Sequence, residues 1–429
     1  MERILMNDLI EWKANKRRKP LILWGARQVG KTWLMKEFGK RFYQNTVYIS
    51  FYNNKRMAGV FEQDYDTGRI IDMIETLNHV KIDPENTLII FDEAQAAPKV
   101  VESLKYFCED APEYHVIAAG SLLGVAMHEG VSFPVGKVDE LHLYPMNFRE
   151  FLYASGEDRL ASYLKDPSDL KLRDFAGEYR EYLKKYMCIG GMPEVVALYL
   201  ENGDLDEVRE LQNNIISQHE GDFGKHAGAR ELPRIRMVWQ SIPMQLSKEN
   251  RKFFFGQIRK GARQKEFELA IQWLTDSGLV CKVNKVSKPG IPLKSYVDFS
   301  SFKLFMLDVG LLGAMSELDP AVILEGNDIF VEFKGALTEQ YVLQQLISDT
   351  NYTPYYYSGD KSTYETDFLI QKGNGIVPVE VKAENNLRSK SLKVFCGMFT
   401  PQEAVRLSAS DYIDQGWMRN IPLWAVCGI

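Results

Sequence analysis

The clearest break in the hydrophobic pattern comes at Leu21, Ile22, Leu23 and Trp24, a short apolar run of the kind that fills a strand buried on both faces. Before it, Ile4, Leu5, Leu9, Ile10 and Trp12 fall at helical spacing and predict a helix ending in the basic turn 16–19. After it, Trp33, Leu34 and Phe38 predict a second helix. Strand-like runs recur at 46–50, 87–91 and 114–119, with helical spacing around 70–77. Strands alternating with helices predict an α/β architecture, a parallel doubly wound sheet, over residues 1–145.

The pattern then turns helical. Periodic apolar positions at 160–164, 179–186, 195–200 and 208–216 predict a helical lid over residues 146–225. Gly190 and Gly191 end one of its helices and Pro193 opens the next. Residues 226–300 show helices at 234–246 and 266–277, with Gly278 as a stop. Two short strands, 279–283 and 294–297, flank the turn formed by Pro289, Gly290, Ile291 and Pro292. Helices followed by a hairpin predict a winged helix-turn-helix. Residues 301–429 form the last expected domain. It has a helix faced by Leu337, Val342, Leu343 and Leu346, then strands at 355–357, 367–370 and 377–382.

Candidate chemistry concentrates in three places. Gly25, Ala26, Arg27, Gln28, Val29, Gly30, Lys31 and Thr32 follow the strand and open the helix, the G-x-x-x-x-G-K-[ST] pattern in its required setting. Backbone N–H groups of such a loop face polyphosphate, Lys31 reaches the β- and γ-phosphates, and Thr32 ligates Mg²⁺. The expected cofactors are therefore ATP and Mg²⁺. About sixty residues on, an apolar strand runs into Asp92 and Glu93. Asp92 is expected to hold Mg²⁺, and Glu93 to orient or deprotonate the attacking water.

The third place is C-terminal. Glu380 and Lys382 alternate along one strand and so share a face, and Asp367 lies on the strand before, across a turn at 372–375. Asp367 and Glu380 are expected to bind a metal ion, with Lys382 steering water and Glu339 adding a carboxylate from the preceding helix. Such a set serves phosphodiester hydrolysis, or survives in a binding module that does not cleave.

Charge changes this picture in one segment. The chain of 429 residues carries a net charge of −6, with 45% hydrophobic and 26% charged residues, a globular composition. Between 225 and 265, however, 11 Lys/Arg face 2 acidic residues. That is the footprint of a polyanion contact, with DNA reached through Arg259, Lys260, Arg263 and Lys265; domain packing is the alternative. No apolar run approaches a membrane span, and no secretory h-region opens the chain, so no membrane partner is expected. Five cysteines without a Cys-x-x-Cys pair fit free thiols and a cytoplasmic protein.

The loop 25–32, the stretch Phe91, Asp92, Glu93, Ala94 and Gln95, the Ala119-Gly120-Ser121 strand end and the segment 143–151 together resemble a family. It is a bacterial and archaeal group of AAA-like P-loop ATPases with a C-terminal restriction-endonuclease-like domain of unknown function. Residues 188–194, 304–311 and 336–339 resemble further markers of that group. The resemblance implies that Ser121 is a polar sensor of the γ-phosphate or the water. Where the family usually has Gly-Arg, this chain has Gly136 and Lys137, a point charge without the guanidinium fork. Two readings stand beside the nucleotide-coupled DNA-facing ATPase: a nucleotide-controlled switch gripping a protein partner, and a signalling ATPase without nucleic-acid contact.

Overall fold

The computed structural model describes residues 1–126, 132–248, 251–325, 331–359, 364–383 and 388–429; Glu249 and Asn250 of the basic segment lie outside the described residues. The chain divides into two compact units, Glu2–Tyr144 with Asp276–Gly278, and Pro145–Thr275 with Leu279–Ile429. Each is taken by itself.

In the first unit, β1 (Leu21–Trp24), β2 (Asn45–Ser50), β3 (Thr87–Asp92), β4 (His115–Ala119) and β5 (Asp139–His142) form a parallel sheet ordered β2-β3-β4-β1-β5. Strands β3 and β4 are buried along their whole length, as their unbroken apolar runs require. Strand β5 carries no such run. Asp139, Glu140, Leu141 and His142 sit at the edge, half in water, which is why the hydrophobic pattern did not reveal it. The helix Lys55–Gln63 was also unforeseen. It is capped by Asn54 and turns Met57, Val60 and Phe61 into the core, where Phe51, Phe61 and Phe91 meet edge to face at 5.6–5.7 Å. In the first helix, Leu5–Ala14, the buried stripe is Met6, Leu9 and Trp12, while Ile10 faces outward. The strand order reverses around β1, so the loop after it opens at a topological switch point.

The second unit joins helices to an eight-stranded sheet. Its strands are β6 (Val280–Val286), β7 (Val297–Met306), β8 (Tyr355–Ser358), β9 (Glu365–Lys372), β10 (Gly375–Val381), β11 (Val405–Ser408), β12 (Ile413–Asp414) and β13 (Arg419–Pro422). They are ordered β12-β13-β11-β10-β9-β8-β6-β7. The expected hairpin is present as antiparallel β6 and β7, but residues 293–296 form a 3₁₀ turn and β7 begins only at Val297. It then continues through position 300 to Met306, because Phe302, Leu304, Phe305 and Met306 are all buried. Among the described residues, one ladder pair, Lys285 with Tyr356, joins the hairpin to β8, and Val286 packs against Tyr355 and Tyr357.

One buried carboxylate organises the helices of this unit. Asp308 is fully buried, and its Oδ2 accepts from Gly191 N at 2.6 Å and Gln344 Nε2 at 2.9 Å. Its Oδ1 accepts from Gly310 N at 2.9 Å and Leu311 N at 3.1 Å, capping the helix Val309–Met315. Burial pushes the carboxyl upward in pKa and these bonds pull it back. Glycine is required beside it: a Cβ on Gly190, whose φ is +78°, would lie 2.1 Å from Asp308 Oδ1, and one on Gly191 would lie 2.0 Å from Met146 O. Tyr186 OH donates to Met146 O at 2.5 Å and accepts from Gln344 Nε2 at 2.9 Å. Gln345 Oε1 accepts from Phe148 N at 2.7 Å. Among the described residues, no helix is long and apolar enough to cross a membrane.

Replacing Asp308 by Asn would turn an amide NH₂ toward donors on one side. Asp308→Asn is expected to lower unfolding stability by about 2–4 kcal/mol, measured by urea unfolding, since buried donors lose their acceptor.

Candidate nucleotide site and a charged cluster in the C-terminal sheet

The loop after β1 is held from several sides. Arg3 donates to Val29 O at 2.7 Å and Tyr144 O at 2.6 Å, and Leu143 N donates to Trp24 O at 2.8 Å. A Cβ at Gly25 would meet Leu143 O at 2.4 Å, so the first glycine of the motif is fixed by close approach. Gln28 and Gly30 take the left-handed region, with φ of 67° and 95°, which turns the loop into the helix Lys31–Phe42. Gly25, Ala26, Arg27, Gln28, Val29, Gly30, Lys31 and Thr32 thus stand where the sequence placed them, at the N-terminus of a helix that favours anions.

Lys31 is buried, and its Nζ donates to Gly25 O and Ala26 O, each at 2.7 Å, with Ser121 Oγ at 3.5 Å. Burial lowers its pKa to about 8, against the pull of Glu93 and Asp92. Thr32 Oγ1 donates to Asp92 Oδ2 at 2.6 Å, so the two oxygen groups expected to share Mg²⁺ already touch. The donor set fits the ion: a hydroxyl and a carboxylate at the end of β3. Glu93 follows with φ 54°, its N–H bonded to Asp92 Oδ1 at 3.0 Å and its Oε2 accepting from Gln95 Nε2 at 2.5 Å. A Cβ on Gly120 would lie 2.0 Å from Gln95 Oε1, so the glycine before Ser121 makes room for that amide. Gln95 and Tyr48, whose hydroxyl donates to Asp92 Oδ2 at 3.0 Å, were not given roles from sequence. Tyr48 lies outside every motif and had no signal. Lys137 pairs with Glu109 at 2.8 Å.

The second unit brings Glu339, Asp367, Glu380 and Lys382 to neighbouring elements, but not as a bare acidic set. Glu339, on the helix Val331–Asp349, has Oε1 at 2.7 Å from Arg251 Nη1 and Oε2 at 3.9 Å from Lys303 Nζ. Lys303, fully buried, also meets Glu365 at 2.8 Å. Burial works against the Lys303 charge, but Glu365, Glu339 and Asp367 outweigh it and raise the pKa. Asp367, on β9, spends Oδ2 on Val381 N at 2.7 Å. Glu380 pairs with Lys382 at 3.1 Å. Burial raises the pKa of Glu339, helped by Asp367 and opposed by Arg251 and Lys303; burial likewise raises Glu380, opposed by Ser389 and Lys382.

Asp367 and Glu380, expected from sequence to bind a metal ion together, stand on the adjacent antiparallel strands β9 and β10, and Glu339 on the helix before them. Among the described residues, no three His, Cys, Asp or Glu side chains are grouped to hold a metal ion. Cations of the chain itself, Arg251 and Lys303, face Glu339. The geometry is built for this: Arg251 adopts φ 48°, and a Cβ on Gly335 would lie 2.7 Å from its Nη2. Among the described residues, a buried Glu339 Oε2 and a buried Glu380 Oε2 nonetheless lack a close hydrogen-bond donor.

Of the basic segment, Arg259, Lys260, Arg263 and Lys265 are all exposed, with Arg259 bridged to Glu266 at 2.5 Å. Phe254 and Leu269 are exposed nearby in sequence, at 42% and 67%. Arg251, by contrast, is committed to Glu339.

The loop, the acid pair and the parallel sheet give the first unit the architecture of a P-loop α/β domain. Residues 17–152 match the family described as "AAA domain". Residues 180–322 and 334–425 match two domains of unknown function, DUF8612 and DUF4143. Among solved structures, the chain is similar to the ORC1 protein of Aeropyrum pernix in complex with DNA (14% identity, 74% of this chain and 91% of that one, TM-score 0.27). It is also similar to AMPPCP-bound DnaA from Aquifex aeolicus (15% identity, 62% and 75%, TM-score 0.26) and to PCH-2 of C. elegans (14% identity, 48% and 64%, TM-score 0.29). These scores are too low to carry substrate or partner across. No curated protein matches the chain.

If Arg251 stands in for an external cation, Arg251→Gln leaves Glu339 buried without its guanidinium. The variant is expected to lose about 2–4 kcal/mol, and Mn²⁺ without nucleotide to restore part of it, while the unsubstituted chain gains little. Melting temperatures with and without Mn²⁺ check this.

Proposed function

We propose that this protein is an Mg²⁺-dependent ATPase whose nucleotide state is coupled to a DNA-facing basic surface in its second unit. The single observation that carries the ATPase reading is the meeting of Lys31, Thr32 and Asp92 at the adjoining ends of β1, β3 and β4, with Glu93 next in line. Backbone N–H groups of 25–32 take the phosphates, and Lys31 exchanges the carbonyls of Gly25 and Ala26 for phosphate oxygens. Thr32 and Asp92 hold Mg²⁺, which supplies charge neutralisation on the β- and γ-phosphates. Glu93, fixed by Gln95, orients the attacking water, and Ser121 beside Lys31 senses the γ-phosphate.

Lys31→Ala is expected to abolish ATP binding or weaken it at least about a hundredfold, and Glu93→Gln to keep binding and lose hydrolysis. Equilibrium binding of a fluorescent ATP analogue and phosphate release separate the two, and equal turnover in Glu93→Gln would remove that residue from catalysis.

The DNA-facing part of the reading rests on the basic run Arg259, Lys260, Arg263 and Lys265 and on helices followed by the β6–β7 hairpin, the order of a winged helix. Asp367, Glu380 and Lys382 of a restriction-endonuclease-like core are the residues for cleavage. The pairing of Glu339 with Arg251 favours a second reading of that core, as a non-cleaving binding module for nucleic acid or a protein partner. Charge reversal at Lys260 and Arg263 is expected to weaken duplex binding and flatten its salt slope by roughly one unit for each phosphate no longer neutralised. Affinity that does not change with salt would leave the segment merely solvated.

A further inference from the structure

Asp92 is held by more than the P-loop. Its Oδ2 accepts from Thr32 Oγ1 at 2.6 Å and from Tyr48 OH at 3.0 Å, and its Oδ1 accepts from Glu93 N at 3.0 Å. Tyr48 comes from β2, the strand beside β3, where it pairs in register with Ile90. Its ring is itself fixed: Lys36, on the P-loop helix, places Nζ 3.7 Å from the ring centroid. Strand β2 and the P-loop helix therefore both act on one carboxylate oxygen.

The consequence appears when the Thr32 hydroxyl turns to a metal ion. Asp92 then loses one of its three bonds, and the bond from Glu93 N constrains only Oδ1. The Tyr48 hydroxyl is what remains to fix Oδ2. We infer that Tyr48 is a positioning residue for the Mg²⁺ of the nucleotide site, holding the Asp92 carboxylate in the plane in which it faces Thr32, with Lys36 steadying the tyrosine ring. Removing a group that orients a metal-binding carboxylate in this way typically costs about 10–100-fold in metal affinity. The inference rests on the nucleotide reading above and adds a residue that no motif contains.

Tyr48→Phe keeps the ring and its Lys36 contact and removes only the hydroxyl. Binding of a fluorescent ATP analogue is measured in EDTA and across an Mg²⁺ titration, with Lys31→Ala as the non-binding reference and thermal melting as the fold control. The expected result is unchanged affinity in EDTA, an unchanged melting temperature, and an Mg²⁺ midpoint raised about tenfold. Lys36→Met is expected to raise the midpoint in the same direction by less. An unchanged midpoint in Tyr48→Phe, with binding still dependent on Lys31, overturns the positioning role and leaves the nucleotide reading standing. Equal weakening with and without Mg²⁺ overturns it too, since that is a structural effect. Absence of any Lys31-dependent binding in the unsubstituted chain overturns both.

Discussion

A carboxylate held by neutral donors alone is an expensive thing to bury, and the second unit is arranged around making that tolerable. Asp308 is satisfied by four N–H donors that come from three separate places: Gly191, the start of the helix at Gly310 and Leu311, and Gln344. Each donor must be brought in closely, and the two consecutive glycines are the result. Because Gln344 also donates to Tyr186, and Tyr186 to Met146, the carboxylate ties segments more than a hundred residues apart into one polar network. Motifs that look unrelated in sequence are the parts of a single buried node.

The first unit handles charge in the opposite way, by keeping it ready for exchange. Lys31 rests on two backbone carbonyls and Asp92 on two hydroxyls and an amide, all neutral partners that a charged ligand can outcompete. Burial lowers the Lys31 pKa, and an arriving phosphate would act the other way by supplying counter-charge. A site whose charged groups are hydrogen-bonded to neutral partners is preorganised without being closed.

The cluster around Glu339 is balanced from within the chain. Arg251 and Lys303 bring full opposite charges to carboxylates that an incoming ion would otherwise meet. Replacing such partners means separating buried opposite charges, which costs several kcal/mol before any ligand is gained. In the first unit the charged groups rest on neutral partners, and around Glu339 they rest on opposite charges of the chain itself.

Sequence alone was sufficient for the P-loop strand, its helix and the strand ending in Asp92, because buried parallel strands are unbroken apolar runs and the phosphate loop is a contiguous pattern. It was also sufficient for the hairpin that sets Asp367 beside Glu380, since alternation and a glycine turn are local. It could not show β5, whose polar edge residues carry no period, nor that β7 runs on into the core past position 300. Above all it could not pair residues distant in the chain. Arg251 and Glu339 lie 88 positions apart and Tyr48 and Asp92 lie 44 apart. Only tertiary packing places a guanidinium on one carboxylate and a hydroxyl on the other.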